Sequence, residues 1–252
     1  MALTLGGFIA GSVLATFHMP FWWQTPSLGE ISLGETLGWG PAVALQLAVF
    51  LLIAAAIWRV ERRRRGALPP VTPRGALWRR VVHGPWSLVV GGVALAVLNA
   101  LTLAVAGHPW AITWAFALTG GKALRALGYD LSTAPFWTGD FAQAALEAPL
   151  LADVTVVMDL GLVLGAFLAA GLAGRFAPRR RIPLPVVVAS LLGGLLLGYG
   201  ARIAYGCNIA AYFGGIASTS VHGWLWGAAA LLATPVGVRL RRLLGVEDAP
   251  SC

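Results

Sequence analysis

The sequence has little charge. Asp, Glu, Lys and Arg make up 11% of its 252 residues, against roughly 25% in a soluble domain. Apolar residues make up 58% and the mean hydropathy is +0.77, so no charged shell is available to face water. Lysine is nearly absent, Lys122 being the only one. Cysteine is scarce too: Cys207 and Cys252 cannot form a disulfide framework, and they are expected at different depths, which argues against their pairing. His18, His83, His108 and His222 lie at the ends of apolar runs without metal-ligand spacing, and no GxxxxGK[ST] phosphate loop follows a strand. The reading calls for no cofactor. Met1 leads straight into ALTLGGFIAGSVLATF with no basic stretch and no small-residue cleavage site, unlike a cleavable signal peptide.

What is present is a series of apolar runs near the ~20 residues that a bilayer requires. The spacing predicts six spans, at 2–19, 41–58, 84–107, 153–174, 183–204 and 221–238. The net charge of +8 could suggest nucleic acid, but the arginines punctuate the spans: Arg59 with Arg62–Arg65, Arg79–Arg80, Arg179–Arg181, and Arg239 with Arg241–Arg242. Such clusters mark cytoplasmic span ends, so no nucleic-acid partner is expected. Phe21-Trp22-Trp23 reads as an interfacial anchor in a loop running from Pro20 to Gly40, and Pro41 suits a helix start.

These clusters put both termini in the cytoplasm and leave two segments to enter and return from the outer side. One is 108–150, where WAITWAFALTGGKALRALG is apolar and interrupted at Gly120-Gly121. The other is 205–220, which holds Cys207. The expected fold is all-α: a polytopic helical membrane protein with about six spanning helices and two re-entrant or broken short-helix segments. Paired, glycine-interrupted segments point to a transporter site.

Candidate functional residues cluster around the second break. Gly206 permits close approach, Asn208 is a preferred cap residue, and a helix over 208–217 would aim its first N–H groups beside Cys207, which favours an anion. A thiol there suits a soft sulfur-containing anion; the plainer reading of Cys207 is a small hydrophobe. Arg202 either draws anions inward or snorkels at a helix end. Lys122 follows the other glycine pair and could line the same path; Arg125 reads as interfacial. Asp159 lies within a span and either pairs with Lys122 or Arg202 or relays protons. Asn99 and Gln46 read as interhelical glue, and Gly193, Gly194, Gly198, Gly200, Gly161, Gly165 and Gly171 as small-residue packing surfaces.

GYGARIAYGCNIAAYFGGIASTSVHGWLW (198–226) resembles the signature of the YeeE/YedE (sulfur transport domain) family of bacterial inner-membrane proteins. MDLGLVLGAFLAAGLAGRFAPRRRIPLP is similar to the helix and turn before that signature, and HPWAITWAFALTGGKALRALGYDLSTAPFWTG to a mid-chain family segment. The resemblance implies an hourglass-shaped, channel-like transporter for thiosulfate or a related sulfur anion. A cysteine in each half would line the constriction and pass the anion through S–H hydrogen bonds, with Cys207 matching the second-half cysteine. It also implies a cytoplasmic sulfur carrier of the TusA type as partner. The family's earlier glycine-cysteine motif has no counterpart here. Residues 1–252 thus read as one membrane domain: 1–150 the remainder of a first half with its connecting segment, 153–242 the second repeat, and 243–252 a cytoplasmic tail. The missing motif raises the expectation of a shortened form, or of a second subunit that supplies the other half.

Transport of thiosulfate or a similar anion past a neutral thiol is therefore the leading expectation. A membrane sulfurtransferase with a persulfide on Cys207, and a non-transporting scaffold for a sulfur carrier, are the alternatives.

Overall fold

The computed structural model describes residues 2–65, 86–174, 176 and 182–246. The loop arginines Arg79–Arg80, His83, the cluster Arg179–Arg181 and Cys252 lie outside the described residues.

Among the described residues, six helices are long and apolar enough to cross a membrane. They are α1 (Ala2–Trp23), α3 (Trp39–Arg65), α4 (Leu88–Ala106), α7 (Val154–Leu172), α8 (Leu184–Ile203) and α9 (Val221–Leu243). Between them lie three shorter helices: α2 (Leu33–Leu37), α5 (Thr113–Ala126) and α6 (Asp140–Glu147). Two 3-10 turns, Pro135–Trp137 and Leu150–Ala152, complete the middle segment. The described residues hold no strand, only an isolated antiparallel bridge between Ser32 and Ser220. The molecule is a multi-pass all-α membrane protein.

α1 and α8 form the most intimate pair, because glycines remove the side chains between them. A Cβ on Gly11 would overlap the carbonyl of Leu195, and one on Gly198 the carbonyl of Phe8; Gly7 and Gly194 approach Leu191 and Thr4 in the same way. The spacing Gly7/Gly11 and Gly194/Gly198 is the small-xxx-small pattern by which membrane helices bring their backbones together. The contacts advance together along both helices, Thr4 with Gly194 and Phe8 with Gly198, so the two run parallel. That is the relative direction the arginine clusters imply. Ser12 Oγ donates to Gly198 O at 3.3 Å, and Trp22 Nε1 donates to Tyr199 Oη at 3.0 Å, closing the pair at its far end.

The loops that leave this pair meet. Leu33 N donates to Thr219 O and Val221 N to Ile31 O, around the Ser32–Ser220 bridge. Each serine then caps the next helix: Ser32 Oγ accepts from Glu35 N and Ser220 Oγ from His222 N, which satisfies amide groups that a helix start leaves open.

The middle segment carries an expected interruption that the structure moves. α5 runs unbroken through Gly120-Gly121. These glycines are packing surfaces: a Cβ on Gly120 would strike Val13 of α1, and one on Gly121 would lie 2.9 Å from the Trp137 ring. The departure from helix falls earlier, after α4, where Gly107 adopts a left-handed φ of 76°. The chain then folds back along α4, since Trp110 N donates to Asn99 Oδ1 at 3.0 Å.

Around α5 gathers a core of Ala115, Ala117, Leu118, Leu131, Ala134, Trp137, Ala142, Leu146 and Val156. Trp137 is fully buried, with its indole N–H donating to Thr16 Oγ1 at 3.1 Å. By contrast, Gly161, Gly165 and Gly171 of α7 meet nothing within 4 Å among the described residues, and no residue of α4 is buried by them. These faces lack the helix packing expected of α7's glycines. The span ends differ as well: α1 continues through Pro20 to Trp23, placing Phe21-Trp22-Trp23 in its last turn.

Candidate functional site

The break that holds Cys207 is built from the end of α8. Arg202 and Ile203 close the helix, Tyr205 takes a left-handed φ of 54°, and Gly206 a φ of 148°. At Gly206 a Cβ would stand 2.8 Å from Ala211 N and 2.8 Å from Ala210 Cβ, so both its backbone angle and its surroundings exclude a side chain. Gly206 N donates back to Ala201 O at 2.8 Å. The chain then starts a new helical stretch at right after Cys207.

That stretch is helical over 208–217 as expected, but Asn208–Gly214 is wound as a π-helix and only Gly215–Ala217 as α. Cys207 O accepts from both Ala211 N (2.9 Å) and Tyr212 N (3.3 Å). Wider turns of this kind are frequent at functional sites. Asn208 is therefore not the cap: Cys207 holds that position with extended backbone and makes no side-chain cap bond. Asn208 is exposed, and the Cys207 thiol is a free, partly exposed group.

α9 fixes the stretch from behind. Gly223 packs against Ile216 N and Tyr212 O, Gly227 against the Tyr212 ring, and Tyr212 stacks on Trp226 at 5.5 Å. His222 hydrogen-bonds Ala204 O through Nε2 at 3.0 Å, tying the start of α9 to the end of α8. Trp224 Nε1 donates to Gln46 Oε1 at 3.3 Å, so Gln46 does join two spanning helices. Asn99 instead serves the fold-back after its own helix.

The three charged candidates are held apart. The Arg202 guanidinium lies over Phe136, 5.6 Å from the ring centroid, and its buried Nε has no hydrogen-bond partner among the described residues. Phe136 in turn packs against Trp23, Trp114 and Trp137. Lys122 donates to Leu146 O (2.7 Å) and Ala148 O (2.6 Å), so its ammonium secures the end of α6. Of the two readings of Asp159, pairing with one of these cations is not found: both carboxylate oxygens are buried without a hydrogen-bond partner among the described residues, while Lys122 is bonded to carbonyls and Arg202 lies over an aromatic ring.

A second concavity, about 340 Å³, opens beside α5 and is lined by Arg125, Tyr129, Asp130, Ser132 and Gln143 among others. Ser132 donates to Asp130 from both N and Oγ, at 2.9 Å each, which holds this exposed carboxyl below the usual carboxylate range. Among the described residues no cluster of His, Cys, Asp and Glu could hold a metal.

Sequence reasoning missed Phe136 and Trp137, which position Arg202 and anchor the middle segment. The only signal was the aromatic density of APFWTG in a stretch without a helical period.

A bundle of apolar helices, one of them ending at Arg202–Ile203 just before a free, partly exposed thiol, defines a multi-pass membrane protein with a polar break after α8. The profile of the family described as "Sulphur transport" matches residues 1–236, and the chain belongs to that family. It is 33% identical over 161 residues to "Probable transporter YedE" of Escherichia coli, a stretch covering 63% of this chain and 38% of that protein. It is 33% identical over 161 residues to the Salmonella typhimurium protein of the same name, with the same coverage. It is 29% identical over 153 residues to "Thiosulfate transporter TsuA" of Spirochaeta thermophila, covering 56% of this chain and 45% of that one. The chain thus matches less than half the length of these relatives. All three are named as transporters rather than as enzymes. No solved structure matches the chain significantly.

Proposed function

We propose that the chain forms the Cys207-bearing part of a bacterial inner-membrane transporter for thiosulfate or a closely related sulfur anion. In this reading both termini face the cytoplasm and the break at 205–220 is approached from outside. The single observation that carries it is the end of α8 at Tyr205–Gly206, which leaves a free, partly exposed thiol at the start of a new helical stretch. Irregular backbone at membrane depth is tolerated where it lines a cavity or is buried in protein.

The thiol acts as a polarizable S–H donor to the passing anion. A thiolate would repel the anion and could attack it. Arg202, stacked on Phe136 with an open Nε, supplies the attraction, and the amide groups that a helix start leaves free add to it. Gly206 and Asn208 flank the thiol on this path. The family membership and the names of the relatives support a sulfur anion as the substrate class. A second subunit carrying a further cysteine, and a TusA-type carrier receiving the sulfur on the cytoplasmic side, are partners consistent with this scheme.

The test is uptake of labelled thiosulfate into vesicles holding the purified chain. Uptake that disappears in Cys207→Ala supports the reading; full uptake in that variant overturns the role of the thiol. Mass spectrometry for a persulfide on Cys207 separates transport from sulfur transfer.

A further inference from the structure

Asp159 is a carboxyl without a counter-charge among the described residues. It lies on the second turn of α7, a helix that is largely exposed from Leu160 to Ala169, which in a spanning helix is the lipid side. Both carboxylate oxygens are nevertheless shielded, and neither has a hydrogen-bond partner among the described residues. Among the described residues, the elements packed most closely against α7 are α5 and the turn Leu150–Ala152. The turn carries no charge. α5 carries Lys122, whose ammonium is held by Leu146 O and Ala148 O, and Arg125, which lines the concavity with Asp130. At the N-cap of α7 stands the other carboxylate, Asp153, which is fully engaged: it accepts from Trp114 Nε1 at 2.8 Å, from Val156 N at 3.1 Å and from Thr155 Oγ1.

The contrast between the two acids is informative. Asp153 has the donors that a carboxylate requires and works as a helix cap. Asp159 has none. An unpaired carboxylate in a low-dielectric interior costs several kcal/mol or more, and such a group takes up a proton instead. A structural role would have been met by an apolar residue, as it is at the neighbouring positions Met158 and Leu160. We infer that Asp159 is the proton-binding group that couples anion movement to a proton gradient. Its O–H bond forms with a proton taken from the outer side as the anion enters, and that bond breaks to release the proton on the inner side; no redox partner is needed. This rests on the transport reading above and adds the driving force to it.

The test uses the purified full chain in lipid vesicles, with labelled thiosulfate outside and the external medium either matched to or more acidic than the interior. The readout is the ratio of uptake with the gradient to uptake without it. The expected ratio is several-fold above one for the wild type, one for Asp159→Asn, and restored in Asp159→Glu, which keeps an acid. Infrared spectra of the wild type at neutral pH should show the carbonyl band of a protonated carboxylic acid that Asp159→Asn lacks. A wild-type ratio of one, an Asp159→Asn ratio equal to the wild type, or no such band overturns the coupling. Should Asp159→Asn prove unstable, the wild-type ratio and band decide. Wild-type uptake that is indifferent to the gradient removes the coupling alone. A wild type with no uptake under either condition removes the transport reading and the coupling with it.

Discussion

Cys207 is held where a helix stops, by residues that leave little freedom. Gly206 cannot carry a side chain without meeting Ala210 and Ala211. Gly206→Ala should therefore reshape the break and reduce uptake as strongly as loss of the thiol, while leaving the amount of folded protein close to normal. Arg202 offers a separable test. Its stacking on Phe136 is worth about 1–2 kcal/mol for a desolvated cation–ring pair. Phe136→Leu is expected to weaken the anion's apparent affinity by roughly tenfold with little change in maximal rate, a pattern read directly from the concentration dependence of uptake. An unchanged KM would remove Arg202 from the path. At this scale the sequence was readable where chemistry is rare: a cysteine and a glycine interrupting an apolar run announce themselves. It was unreadable where the winding of the helix decides, since Asn208 lost the cap position to Cys207 through a π-turn that no residue pattern marks. The unpaired state of Asp159 was equally hidden, because it depends on Lys122 bonding to carbonyls and Arg202 lying over the Phe136 ring.

Among the elements, α1 and α8 set the frame. Gly11 and Gly198 are each closed by a carbonyl of the opposite helix, and a backbone atom cannot swing aside as a side chain can. Gly198→Ala should cost about 1–3 kcal/mol through overpacking, lowering the midpoint of thermal unfolding by several degrees as followed by tryptophan fluorescence in detergent, where Gly193→Ala and Gly200→Ala should not. Both of those glycines face open space, which makes them internal controls. Trp137→Phe removes the buried hydrogen bond to Thr16, worth about 1 kcal/mol, and leaves a void beside Gly121, so it is expected to lower the midpoint at least as far. The six spans were legible because a bilayer imposes both length and apolarity on them. The core around Trp137 was not, because all its members except Val156 come from short helices and turns between Thr113 and Leu146, none with an apolar period long enough to register. Gly120-Gly121 misled for the opposite reason: in a membrane, paired glycines serve close packing as readily as they break a helix.

For the whole molecule, the parallel α1 and α8, the bridged loops at Ser32 and Ser220, and the helical stretch on α9 make one frame around a single described thiol. α4 and the far part of α7 stand outside that frame, exposing apolar side chains along their length. In a membrane these faces meet lipid or another polypeptide, and the relatives are more than twice as long as the stretches matched here. The orientation makes a prediction of its own. Single cysteines placed at Ser27 and at Leu244 in a Cys207→Ala, Cys252→Ala background should react with an impermeant maleimide from the outside and only after permeabilisation, respectively. The reverse labelling would invert the scheme. The measurement closest to the central claim is uptake of labelled thiosulfate by vesicles containing the wild-type chain or Cys207→Ala. Uptake by the wild type that falls about tenfold or more without the thiol, as loss of a hydrogen bond to a charged substrate would cause, is the predicted result. Equal uptake by the two proteins would contradict it.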